Sequence, residues 1–407
     1  MRITKLTLVA IAAKGIMFTS CSKDEVKNIT DPIEFPKDLS DIDVSELTVP
    51  TDYVFNRNQT TTIDFSGQTT RLSQVNEIGG LLKSTNPIPT QEDFSNRFNQ
   101  ATGFTDASLN GSKNVRSKVA ASVGLFQTNL TLSDEIKADF DGYLTNQIAV
   151  LESQNEASQG VAGTFVSGTR TRYFNEKGLE YDQAFFKGLI GALTIDQSLN
   201  HYFNRLDDNY DSSNAYRNDN DADVLVDGKN YTTMEHHWDE AYGYVYGLDG
   251  ADKLLGHYLE EIQGQQYFAN TPEIVFKAFV IGRAAIEAKQ YDVRDAAVKL
   301  IRYQISKIPA ARGIYYLQKA KGTIADSSAD KRDAFHALSE AYGFIYSLQF
   351  TYNPATNEPY FTNAEVKALI AKLYGGNGFY DVTAQVLDEV SADIVANYDF
   401  TVADVIQ

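Results

Sequence analysis

A single cysteine stands in the 407 residues, at position 21. No disulfide can close within the chain, and a Cys-rich zinc or iron–sulfur site, which needs two or more thiolates, is excluded. Positive charge is also scarce: 36 Lys and Arg face 54 Asp and Glu, a formal net charge of −18. Phosphate-backbone binding needs clustered cations, so no nucleic-acid partner is expected. With five histidines in all, an imidazole metal site has few ligands to draw on. The His-Glu-x-x-His signature of helical zinc peptidases is absent, no Gly-rich phosphate loop follows a strand, and no Ser or Cys triad is discernible from spacing. Glycine (27) and proline (9) are too few for a collagenous or low-complexity chain.

What is present begins with an address. Arg2 and Lys5 precede the apolar run Leu6 to Ala13, which Lys14 interrupts before Thr19-Ser20-Cys21. This three-part layout predicts a secretion signal over residues 1–20, too short to span a membrane. Small residues just before the one thiol resemble a bacterial lipobox, although Phe18 departs from the usual aliphatic residue. Cys21 is thus the expected lipidation site and the membrane partner a bilayer reached through that lipid. Ser22-Lys23-Asp24-Glu25 is similar to the acidic export tag of Bacteroidota lipoproteins, which implies an outer-membrane, surface-exposed location.

Residues 21–50, polar and carrying Pro32, Pro36 and Pro50, read as a tether. Between Tyr53 and Phe65 two β-prone runs flank Asn56-Arg57-Asn58, which predicts a small N-terminal hairpin. Helix signals then dominate. Thr131-Leu-Ser-Asp134, Ser327-Ser-Ala-Asp330 and Thr362-Asn-Ala-Glu365 each offer a capping side chain with an acid in the first turn. Thr271-Pro272 offers a cap followed by proline. The expected fold class is all-α, as two antiparallel helical bundles over residues 51–230 and 231–407. Residues 205–230 read as a long acidic insertion. Within it Asp219, Asp221 and Asp223 alternate as in a calcium loop, but Val224 and Asn230 stand where that loop needs Gly and Glu. Gly375 to Gly378 predicts a turn.

The most informative pattern is a self-match. His236-His-Trp-Asp-Glu-Ala-Tyr-Gly-Tyr-Val-Tyr-Gly-Leu248 aligns with His336-Ala-Leu-Ser-Glu-Ala-Tyr-Gly-Phe-Ile-Tyr-Ser-Leu348, and upstream Leu189 to Asp196 aligns with Val280 to Glu287. Two matches in the same order predict an internal duplication. On a helix, 236, 240, 243 and 247 share a face, as do 336, 340, 343 and 347. Small residues there let a neighbouring helix approach, while His and Glu one turn apart point to one place. Each pair is either a buried, mutually satisfied hydrogen bond or part of a site in a helix seam. His336 and Glu340 favour the structural reading. In the first copy His237, Asp239 and Glu235 add to the pair, so His236, His237 and Glu240, with Glu180 from the preceding helix, are the expected metal ligands, for iron or zinc.

The segments Lys177 to Gln183, Lys187 to Ala192, His236 to Gly243, Gly282 to Ala285 and Leu338 to Phe344 together resemble an uncharacterised lipoprotein family of Bacteroidota, itself similar to the imelysins. The resemblance runs from about residue 50 to the C-terminus and implies two four-helix bundles related by duplication. Imelysin-like proteins carry Gly-x-His-x-x-Glu. The nearest match is His237-Trp-Asp-Glu240, with Glu235 where the Gly would stand. What the resemblance implies is a metal (iron) or haem binding component of nutrient uptake, with a metallopeptidase or a structural, adhesive lipoprotein as alternatives.

Overall fold

The computed structural model describes residues 34–206, 208, 215–249 and 253–406. The expected leader, Cys21 and the first part of the tether lie outside the described residues. Among the described residues helices carry the architecture, and strand is confined to two antiparallel pairs.

Side-chain caps set the helix starts. Thr362 accepts from the Glu365 N–H while the Glu365 carboxylate accepts from the Thr362 N–H, the reciprocal box that Thr-x-x-Glu predicts. Thr232 and Glu235 form the same box ahead of helix Thr233–Tyr246, which carries the first copy of the repeat. Elsewhere the cap moves. Asn129, not Thr131, opens Leu130–Glu152, and Asp330 caps a 3-10 turn, Lys331–Ala334, that runs into the second-copy helix Phe335–Ser347. In Thr271–Glu287 the threonine is already helical, a one-residue shift.

Asn58 and Gln59, at φ 52° and 64°, fold Asn56–Arg57 back on Thr60–Thr61. Positive φ at both turn residues suits the twist of paired strands. The N-terminal hairpin therefore exists, although it forms between the two β-prone runs. A second hairpin, Gly163–Ser167 with Arg170–Phe174, goes beyond the expected pattern. Gly168, at φ 59°, supplies its turn.

A long helix organises the molecule. From Tyr181 to Leu206 the chain stays helical, as α-helix over Tyr181–Leu189, π-helix over Ile190–Tyr202 and α-helix over Phe203–Leu206. The wider π-turns free carbonyls, and outside donors take them: Ala120 N–H to Ala192 O at 2.8 Å, Gly124 N–H to Asn200 O at 3.0 Å, and Arg302 Nη2 to Leu199 O at 2.8 Å. Asp196, fully buried in this stretch, accepts from the N–H groups of Ala121 and Ser122 at 3.0 Å each. The first-copy helix packs on the π-helical part and the second-copy helix on the α-helical start. Glycines allow the contacts: a Cβ on Gly191 would lie 2.6 Å from Ser347, and one on Gly282 would lie 2.0 Å from the Trp238 ring.

The 35-residue helix Tyr291–Ala325 forms the second axis, with Thr271–Glu287, Phe335–Ser347 and Ala384–Val395 against it. Its buried cations lie against tyrosines, Arg302 3.8 Å from the Tyr352 ring and Arg312 4.4 Å from Tyr315. One continuous apolar core runs from Ile42 to Val405. Residues 34–50 are tied to the body: Gln304 Nε2 donates to Lys37 O at 2.7 Å, Ile42 is buried, and Gln290 Nε2 donates to Glu46 O at 2.9 Å. The described part of the acidic insertion includes a short helix, Ala215–Asp221. Among the described residues no helix is long and apolar enough to cross a membrane.

Candidate functional site

The first-copy helix brings His236, His237 and Glu240 together. His237 Nδ1 lies 3.3 Å from Glu240 Oε2, and His236 Nε2 lies 3.8 Å from the same oxygen. The other oxygen, Oε1, accepts from Gln68 Nε2 at 3.2 Å and Tyr202 OH at 3.1 Å. Burial alone would raise the Glu240 pKa, but the His237 hydrogen bond and the two imidazole charges hold it at about 2. Burial lowers the pKa of His237 against the pull of Glu240. At neutral pH an ionised carboxylate therefore accepts the Nδ1–H of a neutral imidazole. That tautomer leaves a lone pair on His237 Nε2, which is buried without a hydrogen-bond partner. The rings of Tyr216 and Tyr202 flank the imidazole at 5.2 and 5.9 Å. His236 stacks on Tyr231 at 4.5 Å.

The remaining first-copy acids serve the fold. Asp239 accepts from Tyr53 OH at 2.6 Å and pairs with Arg283 at 3.2 Å, all three buried. Glu235 closes the cap and pairs with Arg283 at 3.3 Å and Arg57 at 2.9 Å. This network pins the N-terminal hairpin to both helices. Burial raises the Asp239 pKa to about 7, with Arg283 opposing.

Glu180 lies beside His336 of the second-copy helix rather than beside His237 and Glu240. Its carboxylate makes a short contact with His336 Nδ1, and its N–H donates to Ser339 Oγ at 3.0 Å. Arg172 Nη1 lies 2.9 Å from the same Nδ1. His336 Nε2 faces Glu340 Oε2 at 3.7 Å, and Lys187 Nζ lies 3.3 Å from Glu340 Oε1. Burial, reinforced by Asp182, raises the Glu180 pKa well above the carboxylate range. Burial also lowers His336 to about 4.

His201 has no distinguishing motif, yet it is buried on the π-helix with Nδ1 unpartnered. Burial and the Lys118 and Arg205 charges push it down to about 3. Its signal in the sequence is only its position within a wholly buried run, Ile190–Tyr202. His257 lies at the surface, 3.6 Å from Glu261. Asp221 and Asp223 turn to separate partners, Tyr291 OH at 2.5 Å and Lys289 at 3.2 Å, rather than converging on a cation. Among the described residues no three or more His, Cys, Asp or Glu side chains are gathered to hold a metal ion. A cavity of about 800 Å³ lies apart from these groups, beside Phe35, Tyr303, Tyr360 and Tyr398.

A family model described as a domain of unknown function, DUF4856, matches residues 50–401. No curated protein and no solved structure matches the chain.

Proposed function

Starting from the premise that the chain belongs to the DUF4856 family, we propose that it binds rather than converts, and takes a metal that arrives already chelated, as haem or chelated iron, at the His237 imidazole. One observation carries this reading: Glu240 fixes Nδ1–H of His237 and leaves Nε2 buried with an unused lone pair. Carboxylate, imidazole and metal in that order are how proteins orient and strengthen a histidine ligand. A bare zinc or iron ion asks for three or four protein ligands, whereas haem asks for one or two. The described residues gather no larger ligand group, which favours the chelated form.

With this goes the envelope reading: a leader over residues 1–20, lipidation at Cys21 and a surface-exposed position on the outer membrane. Its support is the sequence pattern around the sole thiol, together with the resemblance to Bacteroidota lipoproteins and imelysins. We also read the two His–Glu helices as copies of one ancestral unit. In their favour, Gly191 and Gly282, equivalent in the upstream match, both sit at tight helix crossings.

The test is to purify the protein from iron-replete and haem-supplemented medium and measure metal and haem absorbance per chain, with His237→Ala and Glu240→Ala alongside. About one equivalent in the parent, lost in His237→Ala and weakened roughly 10–100-fold in Glu240→Ala, is expected. No bound metal, with both variants merely destabilised, would leave these residues as packing groups. Acylation that persisted in Cys21→Ser would overturn the anchoring.

A further inference from the structure

A second region carries chemistry that the His237 reading leaves unused. Two cavities, of about 360 and 560 Å³, meet at Lys83 and Arg170, which line both. Volumes of this order suit small-molecule ligands. The cleft lies between the second hairpin, the C-terminal end of helix Ser66–Leu81 and helix Tyr181–Leu189. Arg170 and Arg172 alternate along strand Arg170–Phe174 and so share a face, the face on which Phe174 packs against Phe335 at 5.5 Å.

The lining is basic in a chain whose formal charge is −18. Lys83, Arg170, Arg172 and Lys187 outnumber Glu180 and Asp182, of which Asp182 lies 3.6 Å from Lys83 and Glu180 3.8 Å from Arg172. The side chain of Arg170 is exposed and makes no ion pair or hydrogen bond among the described residues. Arg172 spends Nη1 on His336, but its Nε is buried without a partner. Acceptors are left over too. Gln147, 1% exposed, donates from Nε2 to Leu82 O at 2.7 Å and leaves Oε1 unpartnered, and Asn76 leaves Oδ1 unpartnered. Buried polar atoms are normally satisfied, so unpaired donors and acceptors lining one cleft describe the ligand that completes them. The wider cavity adds the Phe186 and Tyr258 rings as apolar walls.

We propose that this cleft binds a small polyhydroxylated anion, a sugar acid or sugar phosphate, whose anionic group meets Arg170, Arg172 and Lys83 and whose hydroxyls donate to Gln147 and Asn76. The paired arginines suit the planar, multi-oxygen face of a carboxylate or phosphate. The acceptors separate such a ligand from bare phosphate, and the cations separate it from a neutral sugar.

Calorimetric titration of the full chain with glucuronate, glucose 6-phosphate, glucose and inorganic phosphate tests this. Glucuronate or glucose 6-phosphate is expected to bind at least about tenfold tighter than either glucose or phosphate, with Kd below about 1 mM. Arg170→Gln removes an unpaired exposed side chain, so it should leave the Tm unchanged and weaken that binding about tenfold. His237→Ala should leave it intact, which separates this site from the metal reading. No binding of either anion at about 10 mM, binding no tighter than that of phosphate or glucose, or unchanged affinity in Arg170→Gln overturns the proposal.

Discussion

Arg283 has side-chain exposure of 0%, as does its partner Asp239. A buried cation of this kind is tolerated only because Asp239, Glu235 and Thr62 surround it. Arg283→Met leaves the buried Asp239 without its cation, while Glu235 keeps Arg57, and urea unfolding should show a loss of about 3–5 kcal/mol. Asp196 makes the opposite case. Burial raises its pKa to about 7, although Ser122 and the two backbone N–H groups oppose the shift. A carboxyl whose folded pKa exceeds its unfolded one holds its proton more tightly when folded. Its contribution is therefore full below about pH 4 and lost as the pH rises through about 7. Asp196→Asn keeps an acceptor for those N–H groups and removes the titration. Unfolding measured from acid to alkaline pH should show the variant gaining on the parent by up to roughly 4 kcal/mol across that window. A gap independent of pH would sink this account. In the sequence, the i, i+3 spacing of His237 and Glu240 was enough to join them. Nothing there indicated that Glu180 would turn to His336, because that contact depends on how the hairpin Gly163–Phe174 lays Arg172 beside the second-copy helix.

Among the elements, glycine positions make sharp tests of helix crossing. Gly282→Ala drives a Cβ into the Trp238 ring, at 2.0 Å from its nearest atom. The result should be a loss of about 1–3 kcal/mol. Gly313, in the long helix, has its nearest neighbour at 3.6 Å. Gly313→Ala should therefore stabilise by up to about 1 kcal/mol through helix propensity alone. Thermal melts of the pair check both signs, and equal effects would mean that the crossings are not close. Caps and periodicity made most helices legible, and Thr362 with Glu365 is an example. The π-helical stretch was not legible. Its widened turns depend on donors from Ala120, Gly124 and Arg302, far away in sequence, and local pattern does not encode them. The hairpin Gly163–Ser167 with Arg170–Phe174, between helices Leu130–Glu152 and Tyr181–Leu189, was not legible either, because strands of five residues carry little periodicity.

For the whole molecule, the repeat suggested two bundles, while the packing gives one core from Ile42 to Val405. Helices Thr233–Tyr246 and Phe335–Ser347 pack on a single long helix, so neither can lose its contacts without exposing the other. Scanning calorimetry should give one cooperative transition, with calorimetric and van't Hoff enthalpies in agreement. Two separated transitions would restore the picture of independent bundles.

The segment at residues 34–61 has a mechanical consequence. It crosses the body through a row of separate ties: Phe35 on Tyr303, Lys37 to Asp399, Glu46 to Gln290, Tyr53 to Asp239 and Arg57 to Glu235. A load applied from the N-terminal side meets these ties one at a time, as a zipper does, rather than all together as in shear. The strap should peel at low force in short steps, acting as a compliant spring in series with a stiff body that stays folded while it extends.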